Sequence, residues 1–158
     1  MGTLLEALRR LQSIENDLAQ VRGRLRARKN AVALQSKKIE QHRTDWTALR
    51  ERALSRRAEA DRQELELRGR EEQVSRCRVG LNTAKTNKEY AAILTQINTL
   101  KADNAKLEEE ILRIMQEVDA LNVDAEKLKG AMESEEKRLE EITRSSEQEI
   151  ERLEGMLA

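Results

Sequence analysis

The chain has 158 residues, of which 38% are charged and only two, one Trp and one Tyr, are aromatic. Typical soluble domains are about 25% charged, so this composition excludes an ordinary globular core and leaves disorder or a long coiled coil. The sequence contains no Pro, which favours the coiled coil. Its formal net charge is zero, but residues 1–82 carry 19 Lys and Arg against 12 Asp and Glu, whereas residues 83–158 carry 11 against 18. Halves of opposite charge can pair with each other.

The sequence also limits the location and cofactors of the protein. No apolar run approaches the ~20 residues that a membrane span requires, and the N-terminus has no signal-peptide pattern. Cys77 is the sole cysteine, which excludes an internal disulfide and a Cys-x-x-Cys metal pair. We therefore expect a cytoplasmic protein without membrane contact and without a metal or other cofactor in this chain.

Apolar residues recur every seven positions through the first half of the sequence. A companion row, three residues later, is interrupted by polar residues such as Arg28, Gln35 and His42. An unbroken period of 3.5 residues predicts one left-handed supercoiled helix over about residues 4–80. The twelve residues of the apolar row are Leu4, Leu11, Leu18, Leu25, Val32, Ile39, Trp46, Ala53, Ala60, Leu67, Val74 and Leu81.

A new heptad pattern begins in the second half. One row runs from Ile93 to Leu128 and the other from Ile97 to Leu139, after which the pattern loosens. Glu135 and Glu149 then fall on the seam, while apolar residues continue intermittently. The pattern predicts a second helix over about residues 87–157.

The heptad phase is lost only between these helices, which predicts a turn at about residues 81–86. Gly80 can end a helix in the left-handed conformation. Thr86 and Glu89 have the spacing of a capping box, in which each side chain accepts from the backbone amide of the other. A continuous helix is the alternative, but the charge split and the equal arms favour a hairpin. We therefore predict an all-α fold, a single antiparallel coiled-coil hairpin domain of residues 1–158.

Charge pairing suggests a register for the hairpin. With the turn centred near residue 83.5, Trp46 faces Leu121, and Gln63 faces Asn104 in a polar core layer. Arg52 then lies beside Glu117, whereas a slide of one heptad creates more like-charge pairs. Buried polar residues at seam positions also penalise slippage.

No catalytic constellation is visible, so we do not expect an enzyme. His42, the sole histidine, lies on the seam, and no Ser or Cys with a carboxylate partner accompanies it. The numerous carboxylates of a straight helix form a solvated face rather than a cleft.

Two basic clusters lie on the first helix and are candidate contacts for an anionic partner. The alternative is that they pair with the acidic second helix. No aromatic residues alternate with them to stack bases, which favours internal pairing over nucleic-acid binding. The clusters comprise Arg22, Arg24, Arg26, Arg28 and Lys29, followed by Arg50, Arg52, Arg56 and Arg57.

The segment from Leu81 to Ile93, with its Lys-Thr-Asn-Lys-Glu-Tyr core, resembles a bacterial family of coiled-coil hairpin proteins with a C-terminal four-cysteine zinc ribbon. The motif around Leu11 and Leu18 supports the resemblance. It implies a non-enzymatic adaptor linked to flagellar regulation or transcription, with the sigma-54 transcription factor as a partner, and nucleic-acid binding through the ribbon. The ribbon would follow Ala158, so the sequence is either a fragment, which we favour, or a member that has lost the ribbon, and no zinc ligand transfers to this chain.

The resemblance also suggests that Lys85, Lys88 and Tyr90 form a partner-binding tip, although a purely structural turn is the simpler interpretation. We expect a protein-interaction rod or adaptor, and the alternative is a nucleic-acid-binding arm that uses the basic face of the first helix. A homodimer remains open as well, because outer leucines such as Leu34 and Leu65 offer further apolar surface.

Overall fold

The computed structural model describes residues 2–157 and contains two long helices packed against each other. Helix α1 spans Gly2–Thr83 and helix α2 spans Asn87–Leu157. No strand occurs in this range. The predicted all-α hairpin is therefore confirmed, and both helices start and end within a few residues of the predicted bounds.

The hairpin divides into two compact units. The first combines residues 1–45 with residues 128–158, and the second comprises residues 46–127, including the turn. In the second unit, Ala60, Ile114 and Val118 form a buried cluster against which Met115 packs. In the first unit, Ile39 and Leu153 are the buried apolar residues, and Gln35 and Ser146 are buried polar residues.

The predicted apolar row of α1 forms the seam from Leu18 onward, where every member is buried or half-buried. The first two members of the row, Leu4 and Leu11, do not form part of the seam. Leu4 is 67% exposed and Leu11 is 54% exposed, and every residue from 2 to 17 is exposed. A heptad pattern alone does not bury a side chain, because burial also requires a facing helix.

The turn is shorter than predicted, because residues 81–83 belong to α1 and only residues 84–86 lie between the helices. Gly80 does not end α1, and no residue in the described range has a positive φ. The helix continues to Thr83, whose hydroxyl donates to the Gly80 carbonyl at 3.1 Å. The Ala84 amide donates to the Leu81 carbonyl at 3.4 Å. These bonds satisfy carbonyls that the end of a helix leaves without partners, so a left-handed glycine is not needed.

Half of the predicted capping box is present. The Glu89 amide donates to Thr86 Oγ1 at 3.1 Å, which makes Thr86 the N-cap of α2. The Glu89 carboxylate accepts from the Lys85 amide at 3.1 Å rather than from the Thr86 amide. Lys85 lies between the helices, so its amide has no helical acceptor and the carboxylate supplies one.

The predicted register is wrong by about one heptad. Gln63 donates to Glu110, six residues beyond its predicted partner Asn104, and Ala60 packs with Ile114 rather than with residue 107. The Gln63–Asn104 polar layer therefore does not form. Exposed charge pairs contribute only about 0.2–1 kcal/mol each, less than burying one large aliphatic side chain. Packing of the seam therefore outweighs the charge count that favoured the other register.

No helix in residues 2–157 has an apolar stretch long enough to cross a bilayer.

Candidate interaction surfaces

The second basic cluster is largely engaged with α2. Arg52 lies 3.5 Å from Glu117, as predicted, and Arg56 lies 2.9 Å from the same carboxylate. Arg50 donates to Asn122 Oδ1 at 3.2 Å. Internal pairing, the favoured interpretation of the basic clusters, therefore applies to these three arginines. The neighbouring Arg57 is exposed.

The first cluster, residues 22–29, behaves differently, and we call it the basic segment. Its five cations are exposed, and within the described residues none of them has an ion pair or hydrogen bond. The segment contains no carboxylate. It therefore presents five unpaired positive charges, which are Arg22, Arg24, Arg26, Arg28 and Lys29.

The side chains of α2 nearest the basic segment explain the lack of pairing. Arg28 and Lys29 share a recess with Thr143, Ser146 and Ile150, which carry no charge. Glu147 lines the same recess, but within the described residues no Lys, Arg or His nitrogen lies within 4 Å of its carboxylate. Near Arg52 the facing helix therefore supplies a paired carboxylate, whereas near Arg28 its lining residues are uncharged except for the unpaired Glu147.

A polar contact not foreseen from the sequence crosses the first unit. Gln35 donates to the Glu135 carboxylate and, at 3.1 Å, to its backbone carbonyl. Lys38 forms an ion pair with the same carboxylate at 3.2 Å. The hydrogen bond from Gln35 and the contacts with Lys38 lower the pKa of Glu135 from its ordinary value. The sequence does show that Gln35 and Glu135 are polar residues at seam positions. The contact was missed because the predicted register did not place these two residues opposite each other.

Three side-chain oxygens within residues 2–157 are buried without a hydrogen-bond partner: Gln63 Oε1, Asn104 Oδ1 and Ser146 Oγ. Asn104 lines a recess of the second unit with Val74 from the apolar row. The lining of this recess carries both charge signs, from Glu71, Arg78, Lys101 and Glu108. The polar layer predicted for Gln63 and Asn104 is thus replaced by two separate polar sites.

The predicted tip residues lie in and just after the turn. Lys85, Lys88 and Tyr90 are all exposed, and Tyr90 retains 48% of its surface. Within the described residues, their side chains form no hydrogen bond or ion pair, while the backbone amides of Lys85 and Tyr90 donate to the Glu89 carboxylate and the Thr86 carbonyl. The three side chains are available at the surface, and their role as a partner site stays a prediction.

Histidine and cysteine do not meet in a reactive arrangement. His42 is half-buried in the first unit, and Cys77 is a free, half-buried thiol in the second. No group of three or more His, Cys, Asp or Glu residues suited to a metal ion occurs in the part of the chain that the structure describes.

Comparison with known proteins returned no family model, no curated protein and no solved structure that matches this chain.

Proposed function

We propose that this protein is a non-enzymatic adaptor whose helical hairpin binds an acidic region of a partner protein through the basic segment. The observation that carries the proposal is the contrast between the two arginine clusters. Arg50, Arg52 and Arg56 form ion pairs or hydrogen bonds with α2, whereas the five cations of residues 22–29 form neither in the described chain. Unpaired positive charges on a rigid helix favour an anionic partner and speed its association.

The resemblance of residues 81–93 to hairpin proteins with a zinc ribbon supports an adaptor in transcription or flagellar regulation. It makes the sigma-54 factor the first partner to test. Binding of purified sigma-54 to the protein would be measured by surface plasmon resonance at several salt concentrations. We expect binding that weakens with salt and is lost when Arg22, Arg24 and Arg26 are replaced by Gln.

A matched control changes the same number of charges elsewhere. Arg62, Arg68 and Arg78 are exposed arginines of the second unit without an ion pair in the described chain. Their replacement by Gln leaves binding through the basic segment almost unchanged. An equal loss in both triple variants would mean that only net charge matters and would refute a specific site.

The second candidate function is nucleic-acid binding by the same segment. The five unpaired cations favour it, because phosphate contacts release counterions and need exposed Lys or Arg. The lack of aromatic residues within 22–29 opposes it, since stacking on bases usually supplements such contacts.

Fluorescence anisotropy with labelled single-stranded and double-stranded oligonucleotides separates the two candidates. Binding that falls steeply between 50 and 200 mM salt, as expected for about five phosphate contacts, and is lost in the Arg22, Arg24 and Arg26 variant would establish the nucleic-acid arm. Absence of binding at the lowest salt concentration would eliminate it and leave the adaptor.

A further inference from the structure

A recess of about 300 Å³ lies between α1 and α2 in the first unit, beside the basic segment. Val32 and Ala33 of α1 and Ile150 of α2 supply its apolar lining. Arg28 and Lys29 supply its positive charges.

The recess results from two seam residues that cannot fill their layer. Arg28 occupies a position of the companion row, but its side chain is exposed, because a guanidinium without a partner is costly to bury. Ser146 is the α2 seam residue beside it, and its side chain is too short to occupy the vacated volume. Heptad patterning normally provides aliphatic side chains at such positions, and neither Arg28 nor Ser146 supplies one.

Ser146 gives independent evidence that the layer is incomplete. The residue is only 2% exposed, and its hydroxyl oxygen has no hydrogen-bond partner in the described chain. A buried hydroxyl without a partner is unfavourable by about 1–3 kcal/mol. The unsatisfied hydroxyl thus marks the same incomplete layer as the unfilled apolar space, and an external aliphatic group can fill that space.

The charge around the recess indicates what such a group carries. Arg28 and Lys29 line the recess, the other three unpaired cations of the basic segment precede them on α1, and Glu147 is the sole carboxylate among the lining residues. The favoured occupant therefore joins an aliphatic side chain, for the recess, to carboxylates, for the cations. A nucleic acid would satisfy the cations but would leave the aliphatic lining empty.

We propose that this recess is the docking site for one branched aliphatic side chain of the partner's acidic segment, held in place by flanking carboxylates that pair with the basic segment. This inference rests on the proposed adaptor function and names the contact that gives it specificity. The carboxylates supply attraction over distance, and the aliphatic side chain supplies the preference for one sequence over another.

The probe is a pair of five-residue peptides, blocked at both ends. Each has two glutamates on either side of a central leucine or, in the control peptide, a central serine. Binding to the full chain would be followed by NMR through the amide signals of Thr143, Ser146 and Ile150. We expect the leucine peptide to bind at least tenfold more tightly and to shift these signals, as burial of one leucine side chain predicts.

Two variants test the recess while leaving the basic segment unchanged. Ser146→Leu fills it from α2, and Ala33→Leu narrows it from α1. Either change should reduce the preference for the leucine peptide to less than twofold, whereas the weak binding of the serine peptide persists. The melting temperature of each variant, measured by circular dichroism, shows that it is folded.

The outcomes separate this inference from the function on which it rests. Equal affinity for the two peptides, or a preference that persists in both filled variants, overturns the docking site. If sigma-54 or another acidic partner binds wild type and Ser146→Leu equally but not the Arg22, Arg24 and Arg26 variant, the adaptor function stands and the recess proposal fails. If oligonucleotides bind and neither peptide does, both proposals fail.

Discussion

Asn104→Leu should stabilise the protein, because Asn104 holds a buried oxygen that nothing in the described chain satisfies. The residue is 7% exposed, and its Oδ1 has no hydrogen-bond partner. It lies on the seam row of α2 between Ile97 and Ile111, both buried. Leucine has the branching of asparagine, so it leaves no cavity, and the recess that Asn104 lines offers room for its larger methyl groups.

The expected gain follows from two effects. Removing an unsatisfied buried polar atom recovers about 1–3 kcal/mol, and burying a leucine side chain contributes about 1.5–3 kcal/mol. The two effects overlap, since both count the transfer of one side chain from water, so we expect a total of roughly 2–4 kcal/mol. Leucine also has the better helix propensity, by a few tenths of a kcal/mol.

Asn98→Leu is the matched control for helix propensity. Asn98 lies on the same helix, less than two turns away, and is exposed, so its replacement reports propensity without burial. Urea and thermal unfolding, followed by circular dichroism at one fixed protein concentration, would measure both variants. Asn104→Leu should melt about 4–16 °C higher than wild type, using the usual relation between free energy and melting temperature for a chain of this size.

Equal stabilisation by the two variants would refute the reasoning, because it would mean that the Asn104 oxygen is already satisfied. Sedimentation must also show that the oligomeric state of Asn104→Leu is unchanged. A polar residue at a seam position can specify the number of helices that associate, and a change in association would raise the melting temperature for a different reason.

Three further predictions concern the core, the turn and pH. Ile114→Ala should destabilise the protein by about 2–5 kcal/mol in urea unfolding, because Ile114 is 2% exposed beside Ala60, which cannot move to fill the cavity. The control Leu112→Ala, at a residue that is 63% exposed, should destabilise it by well under half as much. Thr86→Ala should lower stability by about 1 kcal/mol through loss of the N-cap bond to the Glu89 amide, and an unchanged melting temperature would show that this bond is not formed in solution. Because folding lowers the pKa of Glu135, its ionised carboxylate stabilises the folded protein fully above its ordinary pKa of 4.5. This stabilisation is lost as the pH falls through the lowered pKa of the folded state. Wild type should therefore lose stability more steeply than Glu135→Gln as pH falls below about 4.5, and parallel pH profiles of the two proteins would contradict this assignment.

The heptad spacing was sufficient to predict two helices and the hairpin. The phase break between Leu81 and Tyr90 also placed the turn near its observed position, and Thr86 was correctly predicted as an N-cap. These features depend on the local spacing of apolar residues and on hydrogen bonds between residues a few positions apart. Such short-range determinants are readable without knowledge of what the second helix contacts.

The register was not predicted correctly, and the error has a physical origin. Several registers one heptad apart bury the same kinds of residue, so the choice between them depends on small differences in packing. Charge counting favoured the pairing of Gln63 with Asn104, yet exposed charge pairs are too weak to decide it. The Gln35–Glu135 contact and the recess at Ser146 were missed for the same reason, since each depends on which residues face each other.

The sequence by itself determined the helical class, the midpoint turn and the presence of two basic clusters, because periodicity and composition are properties of the chain alone. It could not distinguish the roles of the two clusters, which are similar in composition. The sequence had predicted the pair of Arg52 with Glu117. Only the tertiary structure placed Glu117 beside Arg56 and Asn122 beside Arg50, and placed uncharged Thr143, Ser146 and Ile150 beside Arg28 and Lys29. A charge becomes available to a partner when the facing helix provides no counterion, and that depends on the register between the two helices.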